Sequence, residues 1–257
     1  MLLADTHAHL SDPQFDSDRV QVIERARRAG VVLVVDVGSD VATSERAVAL
    51  AAEPGVWAAV GIHPHNARGA DAAALARIEE FSAQPGVVAV GETGLDFYRD
   101  HSPRSAQIAA FEAHLALAHR VGKPVVVHSR EADAELMARL RPWAGKVRAV
   151  LHCFSGSEAM LEEAVQLGFS ISFAGTVTYP KAERQRSLVR LVPQALLLAE
   201  TDCPYLAPMP RRGQRNEPAY VAHTVSALAE ARGVPVGDLA TAIFENAEAF
   251  FGIARGH

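Results

Sequence analysis

The run Val31-Val32-Leu33-Val34-Val35-Asp36-Val37 shows little apolar–polar alternation and is dominated by β-branched side chains. That is the pattern of a strand buried on both faces, as in a parallel sheet covered by helices. Outward from it, strand and helix patterns alternate without a linker. Before it, residues 2–7 read as a first strand, and 17–29 as a helix with Val20, Ile23 and Ala26 at helical spacing, stopping at Gly30. After it, strands are expected at 56–62, 86–91, 124–128, 147–152, 169–174 and 195–201. Helices are expected at 41–52, 72–83, 105–121, 131–140, 158–167 and 181–191, with two more at 218–232 and 236–250. Eight strands with intervening helices predict a closed parallel (β/α)8 TIM barrel, α/β in class, forming a single domain over residues 1–257. An open doubly wound sheet is the alternative, but no G-x-G-x-x-G follows the first strand.

Composition narrows the function classes. Apolar residues make up 49% of the chain, enough for a large core, and the net charge of −5 argues against wholesale electrostatic capture of nucleic acid. Any such binding must come from a local patch. The two cysteines, Cys153 and Cys203, each lie beside a candidate site residue, so a structural disulfide is not expected and a reducing cytoplasm fits. No signal peptide is expected at the N-terminus, and no apolar run approaches the roughly 20 residues of a membrane span.

Barrel enzymes carry their chemistry at the C-terminal ends of the strands. Here those ends read Asp5-Thr6-His7-Ala8-His9, Gly61-Ile62-His63-Pro64-His65, Gly91-Glu92-Thr93-Gly94-Leu95-Asp96, His128-Ser129-Arg130, His152-Cys153-Phe154-Ser155-Gly156 and Glu200-Thr201-Asp202-Cys203-Pro204. Six of the eleven histidines lie at these ends. The other five, His101, His114, His119, His223 and His257, are expected to be ordinary loop, helix and tail residues. His7 and His9, two apart on one strand, point the same way with Cα atoms about 6.6 Å apart, so their imidazoles can meet at one cation.

Ligand chemistry suggests two cations. A carboxylate can bridge two metals, and Glu92 is the natural bridge, with His7 and His9 on one metal and His128 and His152 on the other. Asp202 completes the first and stands where it can orient or accept the proton of an attacking water. The plainer alternatives are an ion pair of Glu92 with Arg99 or Arg130, and a turn-capping role for Asp202 before Pro204. His63 is expected to face the substrate, with His65 a second candidate beyond the Pro64 turn. Imidazole-rich ligation admits Zn or Mn, while phosphoryl chemistry favours Mg. The nearest lysines, Lys123 and Lys146, sit at the wrong end of the barrel to bridge metals as a carboxylated lysine would.

The strings DTHAHL, GIHPH, GETGLDF, HSR, HCFSG and ETDCPYL, with RGQRNEP downstream, resemble the TatD family of metal-dependent nucleases, among the amidohydrolase-type barrels. The resemblance spans Asp5 to Phe251. It implies the barrel, two divalent metals, and deoxyribonuclease activity, often as a 3′→5′ exonuclease. It also implies His7, His9, Glu92, His128, His152 and Asp202 as metal ligands, a phosphate contact at His63 and a supporting role for Glu200. Phe97, where the family often has Tyr, and Cys203, where it often has Ala, are departures that touch no ligand.

The substrate surface is expected in Arg211-Arg212-Gly213-Gln214-Arg215-Asn216, a basic loop after the last strand, together with Arg130. Arginine forks match phosphate oxygens, and Tyr179, Tyr205 or Phe154 could stack a base. The expected partner is DNA, with RNA as a second candidate. Hydrolysis of a small ester or amide, or of a misacylated D-aminoacyl-tRNA, is the alternative activity; a non-catalytic scaffold would not need so many inward polar residues.

Overall fold

A computed structural model describes residues 1–253; His257 of the expectations above lies outside them. Eight strands, β1 (Leu3–Ala8), β2 (Val31–Val37), β3 (Val56–Val60), β4 (Val87–Asp96), β5 (Val125–Arg130), β6 (Ala149–Leu151), β7 (Ser170–Phe173) and β8 (Leu197–Ala199), pair in sequence order and in parallel. Between and after them run α1 (Arg19–Arg28), α2 (Val41–Leu50), α3 (Ala72–Ser82), α4 (Arg104–Val121), α5 (Asp133–Leu140), α6 (Glu158–Gln166), α7 (Glu183–Leu191), α8 (Val221–Arg232) and α9 (Val236–Phe251). The TIM barrel expected from the strand pattern is therefore the fold. None of the described helices is long and apolar enough to cross a membrane.

The barrel closes where β1 meets the chain after β8. Ala8 bridges Cys203, the amide of Asp202 donates to His7 O at 2.9 Å, and that of His9 donates to Cys203 O at 2.8 Å. Beneath this seam the buried Asp5 carboxylate accepts from the amide (2.8 Å) and the hydroxyl (2.6 Å) of Thr201. Burial pushes its carboxyl up to about 8 despite those bonds. The seam matters for the site because it sets His7, His9 and Asp202 on adjoining segments.

The floor of the barrel is apolar. Leu33, Val35, Ala59, Ala89, Val126, Val150 and Leu198 form one cluster with Phe244, Ala247, Phe250 and Phe251 of α9. Asn246 donates to Gln194 O and Leu197 O, and Arg148 donates to Ala249 O, which fixes α9 across the N-terminal ends of the strands. Each buried Phe contributes about 1.5–3 kcal/mol. The polar residues are left to the opposite end.

The fourth strand differs from its expectation. It runs on to Asp96 rather than ending at Gly91, so Glu92 projects from within the strand. Its register with β5 shifts between Val90 and Thr93. Gly91 (φ 129°) and Gly94 (φ 140°) make this possible: a Cβ would stand 2.5 Å from Val126 O at the first and 2.1 Å from His128 O at the second. Only glycine permits that backbone and that approach, and the close pairing brings Glu92 beside His128.

Candidate metal centre

A cavity of about 780 Å³ opens at the C-terminal ends of the strands, and Glu92 is its hub. Oε2 of Glu92 lies 3.5 Å from Nε2 of His7 and 3.8 Å from Nε2 of His9. Its Oε1 lies 2.7 Å from Nε2 of His152, 3.0 Å from Nδ1 of His128 and 3.4 Å from Nε2 of His63. Asp202 Oδ1 completes the first side, 3.4 Å from His9 Nε2 and 3.8 Å from His7 Nε2. The Nε2 atoms of His7 and His9 are 3.2 Å apart, and the His7 ring stacks on His152 at 3.9 Å between centroids. Asp202 itself adopts a left-handed backbone (φ 58°), a conformation costly for a non-glycine residue and concentrated at functional sites.

The outer nitrogens determine what the inner ones can do. His9 donates from Nδ1 to Val37 O (2.7 Å), His152 from Nδ1 to Glu200 Oε1 (3.1 Å), and His128 from Nε2 to Asp96 Oδ2 (3.3 Å). With the outer proton committed, each imidazole can turn a lone pair toward Glu92 once a cation takes the place of its inner proton, the usual arrangement of a ligating histidine. His63 is the reverse: its Nδ1 accepts the amide of His65 at 3.0 Å, so its proton sits on Nε2, inside the cavity. Burial lowers its pKa to about 4 and keeps it a neutral donor.

Charge makes the same case. Burial opposes ionisation of Glu92, but the charge of His152 and the hydrogen bonds from His128 and His152 outweigh it and hold the carboxyl well below its ordinary value. Burial also opposes a proton on His9 and His152. For His9, the hydrogen bond and charge of Asp202 with the charge of Glu92 prevail, raising it to about 9. For His152, the charges of Glu92 and Glu200 prevail and raise it well above the ordinary value. Glu92, Asp96, Glu200 and Asp202 thus concentrate negative charge in a half-closed space that must be balanced by protons or by cations. The mixed imidazole–carboxylate donors, with facing His7 and His9 nitrogens, suit divalent metal. Compact donor groups form at His7, His9 and Asp202, at His7, Glu92 and His152, and at His63, Glu92 and His128.

The profile of the TatD related DNase family matches residues 4–252. The chain belongs to that family. Among its relatives, the uncharacterized metal-dependent hydrolase YabD of Bacillus subtilis is 40% identical over 98% of this chain and 100% of its own. The 3′-5′ ssDNA/RNA exonuclease TatD of Pantoea vagans is 40% identical over 97% and 99%. The crystal structure of YjjV, a TatD homologue from Escherichia coli, superposes with a TM-score of 0.92 at 33% identity, covering 98% of each chain.

Within this TatD-family cavity, the six expected ligands, His7, His9, Glu92, His128, His152 and Asp202, come together, with Glu200 directly behind His152. Glu92 meets histidines and pairs with neither Arg99 nor Arg130. His65 lines the cavity and donates from Nε2 to Asp96 Oδ2 at 2.7 Å. Arg130 also lines the cavity.

The downstream loop departs from its expectation. Asn216 is fully buried, donating its side-chain amide to Thr201 O and Tyr205 O, so it braces the chain after β8 and cannot meet a substrate. Arg215 is committed to Asp18 at 2.7 Å and to Gln14 O at 2.6 Å. Arg211 and Arg212 are exposed, over the rings of Tyr220 and Tyr179, outside the cavity wall. Phe154 is buried against Phe173 and is unavailable for stacking, whereas Tyr205 is half exposed at the rim.

Three residues were not expected at the site. Asp96 joins His65 and His128; its place in the strand-end segment 91–96, within GETGLDF, was its sequence signal, with no role assigned to it. His101 lies on the cavity wall, 4.7 Å from His65 between ring centroids. His114, buried on α4, accepts the amide of Ile62 at 3.1 Å and so positions the segment leading to His63. Nothing in the spacing of His101 or His114 distinguishes them from surface histidines.

Proposed function

We propose that this chain is a metal-dependent nuclease that hydrolyses phosphodiester bonds of single-stranded DNA, working from the 3′ end, with RNA as a second substrate. The observation that carries the reading is the two-sided environment of Glu92, one oxygen facing His7 and His9 and the other facing His128 and His152. His7, His9 and Asp202 would hold one divalent ion, His128 and His152 the other, and Glu92 would bridge them. Such a pair, when bound, activates a water and neutralises charge on both the attacking and the leaving oxygen.

The protein side chains supply the rest. Asp202, which lines the cavity, accepts the proton of the attacking water. His63 donates from Nε2 to a non-bridging phosphate oxygen, a contact that strengthens as charge builds there. Glu200 and Asp96 hold the rings of His152 and His128 in orientation. The same donors would suit a small ester or amide, but the names of relatives such as the Pantoea vagans exonuclease favour a nucleic acid.

The test is release of nucleotides from 3′- and 5′-end-labelled single-stranded DNA and RNA by metal-loaded protein, with and without EDTA. EDTA-sensitive, stepwise loss of the 3′ label is expected. Activity that persists after chelation and dialysis, or turnover of small esters without any nucleotide release, overturns the reading.

A further inference from the structure

Arg99 and Arg130 are the two arginines on the cavity wall, and among the described residues no lysine joins them. Both flank one aromatic ring: the guanidinium carbons of Arg130 and Arg99 stand 4.3 and 5.6 Å from the ring centroid of Tyr98. Neither guanidinium donates a hydrogen bond to, or pairs with, a carboxylate among the described residues, whereas Arg215 is spent on Asp18. An aromatic face holds a cation in place without cancelling its charge. The fork N–H groups therefore stay available to an anion.

The loop that carries Tyr98 and Arg99 is built rather than loose. Asp96 Oδ1 accepts the amides of Tyr98 (3.0 Å) and Arg99 (2.8 Å). The fully buried Gln107 accepts the amide of Asp96 at 2.8 Å and donates to Asp96 O and Ser102 O. Asp96 Oδ2 meanwhile takes His128, so one carboxylate ties the arginine loop to the metal centre. Arg130 follows His128 by two residues on the same strand, and its backbone stands opposite Asp96 in the β4–β5 register. Its Cα lies about 6.6 Å farther along the strand than that of His128, toward the mouth.

We propose that Arg99 and Arg130, held against Tyr98, form a binding site for a second phosphate of the nucleotide strand, next to the one being hydrolysed. The proposal rests on the nuclease reading for its substrate. It makes the cavity selective for a strand carrying at least two phosphates, and assigns the flanking contact to this rim rather than to the loop after β8.

The test compares wild-type protein with the Arg99→Ala/Arg130→Ala double variant, both loaded with Mn2+. Two quantities are read: kcat/KM on a thymidine trinucleotide relative to a dinucleotide, and the salt dependence of affinity for a hydrolysis-resistant phosphorothioate oligodeoxynucleotide. Two lost phosphate contacts should flatten the log-affinity against log-salt line by about 1.4, at about 0.7 each. The preference for the trinucleotide should fall at least about tenfold, and the Arg99→Lys/Arg130→Lys variant should recover most of the slope. Unchanged slope and unchanged preference overturn the proposal while leaving the nuclease reading intact. If wild type hydrolyses neither nucleotide but the slope still falls, the phosphate site stands and the nuclease reading fails. Should wild type hydrolyse neither and the slope stay fixed, both are overturned.

Discussion

Nδ1 of His152 lies 3.1 Å from Oε1 of Glu200, and both side chains are sealed from solvent at the mouth of the barrel. The contact determines which nitrogen of His152 faces Glu92. Replacing Glu200 with Ala should weaken metal binding by roughly 10–100-fold, the usual cost of losing the partner behind a ligating histidine. Glu200→Gln should retain much of the affinity because its amide oxygen can still accept. Competition with a metal-sensitive dye measures this; equal affinity in the Ala variant would show that His152 needs no such support.

Asp202→Asn keeps the shape of the side chain and removes its basicity. Turnover should fall by about 10²–10⁴, the range for a general base, or about 3–5 kcal/mol of barrier at 1.36 kcal/mol per decade. The comparison is made at saturating metal, so that weaker ligation does not pass for lost proton transfer. Wild-type kcat under those conditions would exclude the role.

His114 supplies a pH dependence outside the six candidate ligands. Burial lowers its pKa to about 4 from 6.5, and in the fold it must be neutral to accept the Ile62 amide. Protons therefore prefer the unfolded chain between those values, and stability rises with pH across this window. Its contribution is complete above about pH 6.5 and falls by roughly 3 kcal/mol as pH drops to about 4, at 1.36 kcal/mol per unit. Urea melts at pH 4.5 and 7.5 of wild type and His114→Gln check it: the variant should show a shallower pH dependence. Parallel curves would contradict the assignment.

At Gly94 even a methyl group has no room, since a Cβ would stand 2.1 Å from His128 O. Gly94→Ala should destabilise the protein by more than about 2 kcal/mol, combining a disfavoured φ with a forced shift of β5. Because β5 carries His128, metal affinity should fall as well. Thermal melts with and without metal report both effects, and a wild-type melting temperature would show that the strands can separate at little cost.

Arg215 gives a contrasting expectation. With its guanidinium paired to Asp18, Arg215→Ala should leave the salt dependence of DNA binding unaltered while lowering stability by about 1 kcal/mol or less, as for a partly exposed ion pair. A flatter salt slope in this variant would mean that the pair opens to take a phosphate.

Much of this protein is written in local sequence. The continuous β-branched run 31–37 has the pattern of a strand in a helix-covered parallel sheet, and eight strand segments with intervening helices leave a barrel as the simplest closure. Strand ends rich in His, Glu and Asp mark the mouth, because a barrel's interior is otherwise filled with side chains like Val35 and Leu198. Hence the six expected ligands needed no coordinates to nominate.

What the sequence by itself could not decide was anything set by contacts between distant segments. Arg215 and Asn216 looked like substrate contacts because a basic loop after the last strand must lie near the mouth. Which way its side chains turn depends on Asp18 and on the Thr201 and Tyr205 carbonyls, none of which local composition reveals. Asp96 and His114 acquire their roles only when β4, β5 and α4 are packed together. The tautomer of His63 likewise follows from the turn at Pro64, where the amide of His65 folds back onto Nδ1. Residue type and spacing determined which groups could ligate a metal; the tertiary fold decided which nitrogen faces the cavity, because a hydrogen bond on one side of an imidazole fixes what the other side can offer.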